Sequence, residues 1–516
     1  MTLKKRMTTV LLLGCVAVGI FALSKTGFLH QADETEDIEE IQDTLFGHRE
    51  TLYLWYTDET LTDYLNSVAV SYNDYQQDTR VIPVYTSGSE YLETIYQASL
   101  QPEEVPDLYI VGNDSLEKAY LAGLASEISS SRSSKDNFSL GIYFPETAVN
   151  AVTYHDKQIG YPLYFETSSF LYNKTYLEEW AYAQIEAEMD VAAAEAAEAA
   201  LASGEGAEAE NAEGTAEDLS VPDADAVAAR VEETLPKTID DILSFADIYD
   251  APEQVEAIFK WDVSDIFYNY FFVGRYIDVG GRAGDRDDSI DIYNENAIRC
   301  MKVYQNLNQF FSIDTTEISY ADIIQDFIDG KILYTIATTD ALSKIEAAKE
   351  NGEFQYEYGT SLIPDVNEEL ESKSLSVTQC IVVNGYSARK DIANDFAYYL
   401  ACQSTYNLYD RTGKVPAALG VECSNRNAEA FVKEYEKSVP NPKMIETSNY
   451  WVEMEIAFAR IWDGNDANAE LKALSEKIMT QIKGEAYTEE YLDIPEENDE
   501  EESVEEVEEG EETDAE

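Results

Sequence analysis

The stretch "YHDKQIGYPLYFETSSFLYNK", residues 154–174, decides the fold of this chain. Its polar tripeptide His155-Asp156-Lys157 indicates the turn of a hairpin, and the largely apolar run that follows predicts a strand as far as Tyr172. Glu166 interrupts this run, and a carboxylate inside a buried strand is costly unless it is paired. Glu166 is therefore a candidate functional residue.

The part of the chain that precedes this stretch alternates strands with helices. Residues 52–56 and the run "TRVIPVYT" predict two strands, with a helix from about residue 60 and another entered through Ser87-Gly88-Ser89. "VPDLYIVGND" is a third apolar strand that stops at Gly112-Asn113-Asp114, where a helical pattern begins. Three successive strand-loop-helix units predict an α/β fold with a parallel sheet.

The chain continues with further strands and helices after this stretch. With 516 residues it is too long for one ordinary core, so we expect two or more lobes. "LPKTIDDILSFADIY" predicts a helix that is capped by Thr238, with Asp241 at its third position.

The net charge of −67 is concentrated in three segments. Residues 31–44, 181–236 and 484–516 carry seven, fifteen and eighteen acidic residues with one base, Arg230, which is more than half of the excess. This composition predicts an acidic linker at 26–49, a helical then disordered Ala/Glu-rich insertion at about 181–235 and a disordered acidic tail at 485–516. The sequence has no basic patch, so we expect no nucleic acid partner.

Residues 1–25 indicate export from the cell. Lys4, Lys5 and Arg6 precede a mostly apolar run from residue 10 to 23, as in a signal peptide or an uncleaved membrane anchor. Leu13-Gly14-Cys15 also resembles the end of a lipoprotein signal, which would attach a lipid to Cys15, although the apolar run continues eight residues beyond it. Each alternative puts the body of the chain on the extracellular face of the membrane.

Cysteine and histidine usage argues against metal and histidine chemistry. The four cysteines after Cys15 have no C-x-x-C spacing, so buried free thiols are expected rather than a disulfide framework or a zinc site. Two of the three histidines precede the predicted domain. The acidic run "GGRAGDRDDSIDI" lacks the spacing of a calcium loop and indicates a solvated hairpin loop before a helix that is capped by Asn294. We therefore expect no metal and no cofactor.

The order of these elements resembles the extracellular solute-binding proteins of ABC importers, and within them the maltose/maltodextrin-binding group. The stretches that carry the resemblance are "LYLWYTDE", "VPDLYIVGND", "YHDKQIGYPLYFETSSFLYNK", "FIDGKILYTIATTDAL" and "SLSVTQCIVVNGYSARKDIANDFAYYL". The third is the most specific, because the family pattern is a Gly-aromatic-Pro strand, a Glu a few residues later, and then Leu-Tyr-Asn-Lys. The resemblance covers roughly residues 50–483 apart from the insertion.

This resemblance implies a two-lobed, periplasmic-binding-protein-like α/β fold, with hinged lobes and a ligand cleft between them. We expect lobe 1 to comprise residues 50–153 and 356–415, and lobe 2 to comprise residues 154–355 and 416–484. The resemblance also implies a monomeric, non-catalytic component that captures a small solute and delivers it to the permease subunits in the membrane.

A sugar cleft combines aromatic rings with carboxylates, because sugars stack their C–H faces on rings and donate their hydroxyl protons to ionised carboxylates. Such side chains belong at the carboxyl ends of strands. Residues of these types stand at the positions that the resemblance assigns to the cleft. The candidate ligand-binding residues are Trp55, Asp58, Glu59, Ser89, Asp114, Tyr164, Glu166, Tyr268, Tyr270, Asp340 and Trp451.

Some candidates also fit a structural role at a core, loop or helix-cap position, namely Trp55, Asp58, Glu59, Ser89 and one of Tyr268 and Tyr270. Asp114 is the sharpest case, because Asp114 and Glu117 have the spacing of a capping box. The resemblance implies instead an acidic residue that points into the cleft. If Asn113 caps the helix, Asp114 is left for a ligand.

The chain departs from the maltodextrin binders in its aromatic residues. Those proteins tend to have an aromatic residue at the position of Val111, a tryptophan at that of Asp340 and an arginine at that of Ser115. The site is therefore expected to be more acidic and less aromatic, which suits a shorter or different sugar, or a cation such as a polyamine. A secreted carbohydrate enzyme with paired carboxylates, or a receptor without a permease, are further alternatives, although no nucleophile motif is recognisable.

Overall fold

The computed structural model describes residues 49–101, 105–128, 139–203, 221–311, 313–314, 318–447 and 449–494, with the backbone alone at 200–203. The predicted anchor, the lipidation of Cys15, nearly all of the acidic linker and residues 495–516 of the tail lie outside these residues. The chain divides into two compact units, Met1–Ser87 and Gly88–Glu516. The lobe boundaries given above stay a prediction.

Strands and helices alternate through the described residues. The strands are β1 (Glu50–Tyr56), β2 (Thr79–Tyr85), β3 (Leu108–Gly112), β4 (Thr153–Tyr154), β5 (Lys157–Gln158), β6 (Tyr161–Asn173), β7 (Ala257–Phe259), β8 (Asp278–Val279), β9 (Ile290–Asp291), β10 (Ile332–Thr338), β11 (Tyr358–Ser361), β12 (Leu375–Val383), β13 (Val415–Pro416) and β14 (Val439–Pro440). The α-helices are α1 (Thr62–Tyr75), α2 (Tyr91–Ser99), α3 (Leu116–Leu121), α4 (Glu146–Ala151), α5 (Lys174–Ser203), α6 (Ala224–Thr234), α7 (Ile239–Ile248), α8 (Glu295–Phe311), α9 (Tyr320–Ile328), α10 (Asp340–Glu350), α11 (Lys390–Cys402), α12 (Leu408–Thr412), α13 (Ala428–Lys437), α14 (Tyr450–Trp462) and α15 (Ala467–Lys483).

In the first unit, α1 joins two neighbouring parallel strands, β1 and β2. Their register runs from Glu50 opposite Thr79 to Tyr56 opposite Tyr85. Alternate residues of β1, such as Leu52, are buried, as the period of two along a strand requires. The strand-helix-strand start that the sequence predicts is confirmed.

In the second unit, the order of the strands is β3-β12-β6-β10-β7. Strand β12 is antiparallel to both β3 and β6, whereas β10 is antiparallel to β6 and parallel to β7. The sheet of this unit is therefore mixed, which corrects the parallel sheet that the alternation of strands and helices predicts. Alternation along the chain does not reveal that β12 returns from much later in the sequence.

Strand β6 belongs to both halves of this sheet. Its first half pairs with β12, with Thr167 opposite Ser376, and its second half pairs with β10, with Ser168 opposite Thr338. Every residue of the strand is buried except Glu166. The predicted hairpin is also present, as β4 and β5 with their turn at His155 and Asp156. The strand prediction is confirmed, one residue longer than expected.

The largest cluster of buried residues in the second unit is aromatic. The indole ring of Trp261 meets that of Trp462 edge-on, with 5.7 Å between the ring centroids. Tyr304 packs against Trp462 at 5.0 Å and against Phe272 at 5.1 Å. This core supports the strands and turns on which the polar candidates stand.

The predicted insertion and tail are only partly as expected. Helix α5 runs directly on from β6, and α6 buries Val227 and Val231 against the core, so residues 224–234 are folded and not disordered. Residues 485–494 of the tail also lie against the fold, because Nδ2 of Asn468 donates to the carbonyl of Leu492 at 2.8 Å. The acidic composition predicts disorder because it does not weigh the few apolar residues that hold parts of both segments against the fold.

The acidic run between Asp278 and Asp291 forms the predicted hairpin of β8 and β9, and Asn294 caps α8 by accepting from the amide of Ala297 at 2.9 Å. One carboxylate differs from the expectation of a solvated loop. Asp285 is buried, and its Oδ2 accepts from the amide of His155 at 2.6 Å.

The cysteines of the described residues have no disulfide partners. Cys300, Cys380, Cys402 and Cys423 are all free, and the first two are buried. Burial raises the pKa of the Cys300 thiol to about 12. None of the helices within the described residues has the length and apolar content to cross a membrane.

Lys443 lies at the centre of a buried polar cluster. Its Nζ donates to the carbonyls of Ala283 and Asn150. Burial lowers the pKa of Lys443 to about 8, and this effect outweighs the opposing attraction of Asp285, Cys380 and Glu117.

The lowered pKa of Lys443 predicts how stability changes with pH. The unfolded chain, with a lysine pKa near 10.4, binds one more proton than the folded chain between about pH 8 and 10, so the Lys443 contribution to the unfolding free energy rises with pH there. Between pH 7 and pH 9.5, the unfolding free energy of wild type should rise by about 1–2 kcal/mol relative to that of Lys443→Met, as measured by urea unfolding. The difference between wild type and Lys433→Met, which removes an exposed lysine instead, should not change with pH. A difference between wild type and Lys443→Met that is also constant with pH would contradict the lowered pKa of Lys443.

Candidate functional site

Asp114 follows β3 in a short 3-10 turn, Asn113–Ser115. Asn113 does not cap the helix: its Nδ2 donates to the carbonyl of Asn441 at 2.7 Å and its Oδ1 accepts from the amide of Thr378 at 2.8 Å. Helix α3 has no side-chain cap, and Glu117 instead accepts from the amide of Ile445 at 2.5 Å. The predicted capping box is therefore wrong, because Glu117 binds a distant segment and no side chain caps the helix.

The Asp114 side chain is exposed, yet the surrounding protein desolvates it. Desolvation raises the pKa of Asp114, and the hydrogen bonds from Ser115 offset only part of this effect. Gly112 allows this position, since a Cβ there would lie 2.7 Å from Asp114 Oδ1.

Glu166 has the partner that its position in β6 requires. Nζ of Lys414 lies 3.6 Å from Glu166 Oε1 and 5.4 Å from the ring centroid of Tyr164. The Glu166 side chain keeps 40% of its exposure, whereas Tyr164 is buried beneath the lysine. Strand β13 positions Lys414, because the next residue, Val415, lies opposite Phe165.

Asp340 begins α10, just after the end of β10, and is held by three donors. Tyr320 donates its hydroxyl to Oδ1 at 2.8 Å, Thr338 donates to the same oxygen, and Lys344 Nζ lies 2.5 Å from Oδ2. Burial acts to raise the pKa of Asp340, but these donors outweigh it and the pKa lies below its ordinary value. Tyr268 stacks on Tyr320 with 4.5 Å between the ring centroids.

Tyr270 and Trp451 meet within the second unit. Their ring centroids are 5.6 Å apart, and Tyr270 is fully buried whereas Trp451 is half-buried. Tyr270 thus packs in the core, as the sequence allows for one of these two tyrosines, and its assignment as a ligand-binding residue stays a prediction. The reason is local: Tyr268 and Tyr270 lie in two successive 3-10 turns and not in a strand, so their alternation does not put one of them on an open face.

The remaining candidates are Trp55, Asp58 and Glu59 in the first unit and Ser89 in the second. Trp55 is half-buried in β1. Asp58 caps a 3-10 turn, accepting from the amide of Thr60 at 3.0 Å, and Glu59 is exposed. In the second unit Ser89 is exposed just before α2, whose cap position is taken by Glu90 in a left-handed conformation.

The second unit brings Asp114, Tyr164 and Glu166 together across three strands. Gln379 of β12 lies opposite Gly112 of β3 on one side and opposite Tyr164 of β6 on the other. Glu166 lies two residues further along β6, about 7 Å at the usual rise of a strand.

Sequence reasoning missed four polar residues beside these candidates: Gln379, Lys414, Tyr320 and Lys344. Gln379 had a recognisable signal, as the polar interruption of "SVTQCIVV". Lys344 also had one, because it stands four residues after Asp340 on a predicted helix. Lys414 and Tyr320 had none, since their partners are remote in sequence. Within the described residues, no group of three or more acidic, histidine or cysteine side chains is arranged to hold a metal ion.

A family model for bacterial extracellular solute-binding proteins matches residues 68–438, well over half of the chain. The maltodextrin-binding protein MdxE of Bacillus subtilis (strain 168) is 24% identical over 238 residues, which are 43% of this chain and 55% of that protein. The chain thus spans about half the length of this curated relative.

Solved structures of similar fold match this chain over nearly the whole of their own length. An extracellular solute-binding protein of Staphylococcus aureus in complex with maltose has a TM-score of 0.64 at 18% identity, covering 84% of this chain and 98% of that one. The maltose-binding protein MalE of Listeria monocytogenes, also with maltose, has a TM-score of 0.62 at 19% identity, covering 86% and 100%. These likenesses confirm the predicted two-lobed α/β fold.

The different surroundings of Asn113 and Asp114 predict a large loss of stability for one substitution and almost none for the other. Asn113→Ala leaves the amide of Thr378 and the carbonyl of Asn441 without their partner, and should lower the unfolding free energy by about 2–4 kcal/mol. Asp114→Asn keeps the shape of the side chain and should change the unfolding free energy by less than about 0.5 kcal/mol. Urea unfolding of both variants without ligand measures this contrast. Equal losses of unfolding free energy would show that Asp114 has a structural role.

Proposed function

The chain belongs to the bacterial extracellular solute-binding proteins, and we propose that it captures a sugar or short oligosaccharide for an ABC importer. The observation that carries this proposal is a row of polar side chains around Gln379 of β12, which lies opposite Gly112 of β3 and Tyr164 of β6. Asp114 stands two residues after Gly112, and Glu166 stands two residues after Tyr164. This row offers carboxylate acceptors beside an amide that both donates and accepts. A sugar hydroxyl also both donates and accepts, so such a row can bind several hydroxyls at once.

The aromatic contribution to binding is smaller than in a site lined with tryptophans. Trp451 is half-buried, Tyr164 is covered by Lys414, and Tyr270 belongs to the core. A long oligosaccharide needs successive rings on which to stack. We therefore infer a ligand shorter than, or different from, the maltodextrins that relatives bind by name, one that is recognised more by hydroxyl hydrogen bonds than by stacking.

The importer context follows from the family. A binding component must remain near its permease, and the basic and apolar residues 4–23 suit a signal or anchor that keeps the body outside the cell. We propose that the loaded protein, as a monomer, delivers its solute to membrane permease subunits. No chemical step is needed for that role.

The site predicts a sugar-dependent increase in thermal stability. A ligand that binds only the folded state stabilises it by mass action, so the soluble body, residues 49–494, should melt at a higher temperature with the right mono-, di- or trisaccharide. Glu166→Gln and Asp114→Asn should each weaken that binding by roughly 10–100-fold, since each removes a charged acceptor. Glu429→Gln, an exposed carboxylate on α13, is the matched control. If no sugar of a broad panel stabilises the protein, the proposal is wrong.

A second prediction separates binding from catalysis. Incubation of the protein with oligosaccharides should release no reducing ends above the rate of a Glu166→Gln control, because binding leaves the glycosidic bond intact. Sustained release that the substitution abolishes would instead indicate a carbohydrate enzyme built on these carboxylates.

A further inference from the structure

We propose that Lys344 and Lys414 act as resident counter-ions that make the site reject cationic solutes and select uncharged polyhydroxy solutes. This inference rests on the proposed function and adds a specificity determinant to it. It starts from two similar clusters in the second unit, each made of a lysine, a carboxylate and a tyrosine ring.

The two clusters share one geometry. In the first, Lys414 Nζ lies 3.6 Å from Glu166 Oε1 and 5.4 Å from the centroid of the Tyr164 ring. In the second, Lys344 Nζ lies 2.5 Å from Asp340 Oδ2 and 4.9 Å from the centroid of the Tyr320 ring. Each ammonium group thus has a carboxylate and an aromatic face within reach.

The clusters are neighbours along β6. Ser168 lies opposite Thr338, the last residue of β10, and Phe165 lies opposite Val415 of β13. The elements that carry the two lysines are in contact, because a Cβ at Gly413 would lie 3.1 Å from the Cβ of Ser343. The segments that carry the two clusters are therefore adjacent, as the inference requires if one solute is to meet both.

A carboxylate beside an aromatic ring is the combination that holds an ammonium ligand in other proteins. Here the lysines already occupy both positions. An incoming ammonium group would have to displace a tethered lysine or approach it at close range, and like charges at such a distance repel. A sugar hydroxyl meets no such conflict, because it can donate to the carboxylate and accept from the ammonium group in the same position.

Burial of the lysine separates the Lys414 pair from ordinary surface ion pairs. The Lys414 side chain is 20% exposed, whereas Lys344 is 47% exposed and Lys433, which pairs with Glu429 on α13, is 58% exposed. Asp340 is held by two further donors, Tyr320 and Thr338. A flexible surface pair would open at little cost to admit a cation. The burial of Lys414 and the extra donors to Asp340 oppose such opening.

Calorimetric titration of spermidine, putrescine and a set of neutral sugars tests the inference. The proteins are wild type, Lys344→Met, Lys414→Met and the double variant, with Lys433→Met as the matched control. At low ionic strength, the double variant should bind spermidine at least tenfold more tightly than wild type, and 0.5 M salt should remove most of that gain. Wild type and Lys433→Met should behave alike.

Two results would overturn the inference: wild type that binds either polyamine as tightly as the double variant, or a double variant that folds and gains no affinity. Circular dichroism and melting temperature establish folding, and the Gln variants of both lysines replace the Met variants if those do not fold. The sugar titrations report separately on the proposed function. If wild type binds no sugar while the polyamine contrast holds, the sugar proposal fails and the assignment of the lysines as counter-ions stands.

Discussion

The pairing of β6 with both halves of the sheet is the constraint on which the rest of the structure depends. Its first half is bonded to β12 and β13, and its second half to β10 and β11. If a strand that is bonded on both edges shifts its register by one residue, every side chain turns to the opposite face of the sheet. Glu166 stands near the middle of this strand, so its carboxylate is positioned by the least adjustable part of the sheet, and the residues around it are positioned relative to it.

Charge burial then decides what each carboxylate near β6 can do. Asp340 receives three donors and has a lowered pKa, so its oxygens already serve Tyr320, Thr338 and Lys344. Asp114 is desolvated and has a raised pKa, with hydrogen bonds only from its own turn as compensation. A carboxylate that the protein leaves under-solvated gains most from a hydroxyl donor. We therefore expect a ligand hydroxyl to stabilise Asp114 more than it stabilises Asp340.

Local signals predicted local features well. The hairpin at His155, the strand that follows it and the capping box of Thr238 and Asp241 all depend on residues a few positions apart, and all are confirmed. The role of Asn113 depends on Asn441, which is 328 residues away, and the pairing of Glu166 depends on Lys414. A single sequence carries no signal for such contacts, because only the folded chain brings the partners together. The same limit explains Asp285, whose burial requires the amide of His155.

The replacement of an expected ring by Asp340 changes the kind of selectivity that the site can have. A tryptophan offers a flat apolar face on which a sugar ring can stack. A carboxylate at the same position attracts cations unless it is neutralised, and Lys344 neutralises it from one helical turn away. The same solution recurs at Glu166, where the lysine comes from another strand. We propose that the lysines beside Asp340 and Glu166 keep the polarity that a sugar site needs without turning it into a cation site.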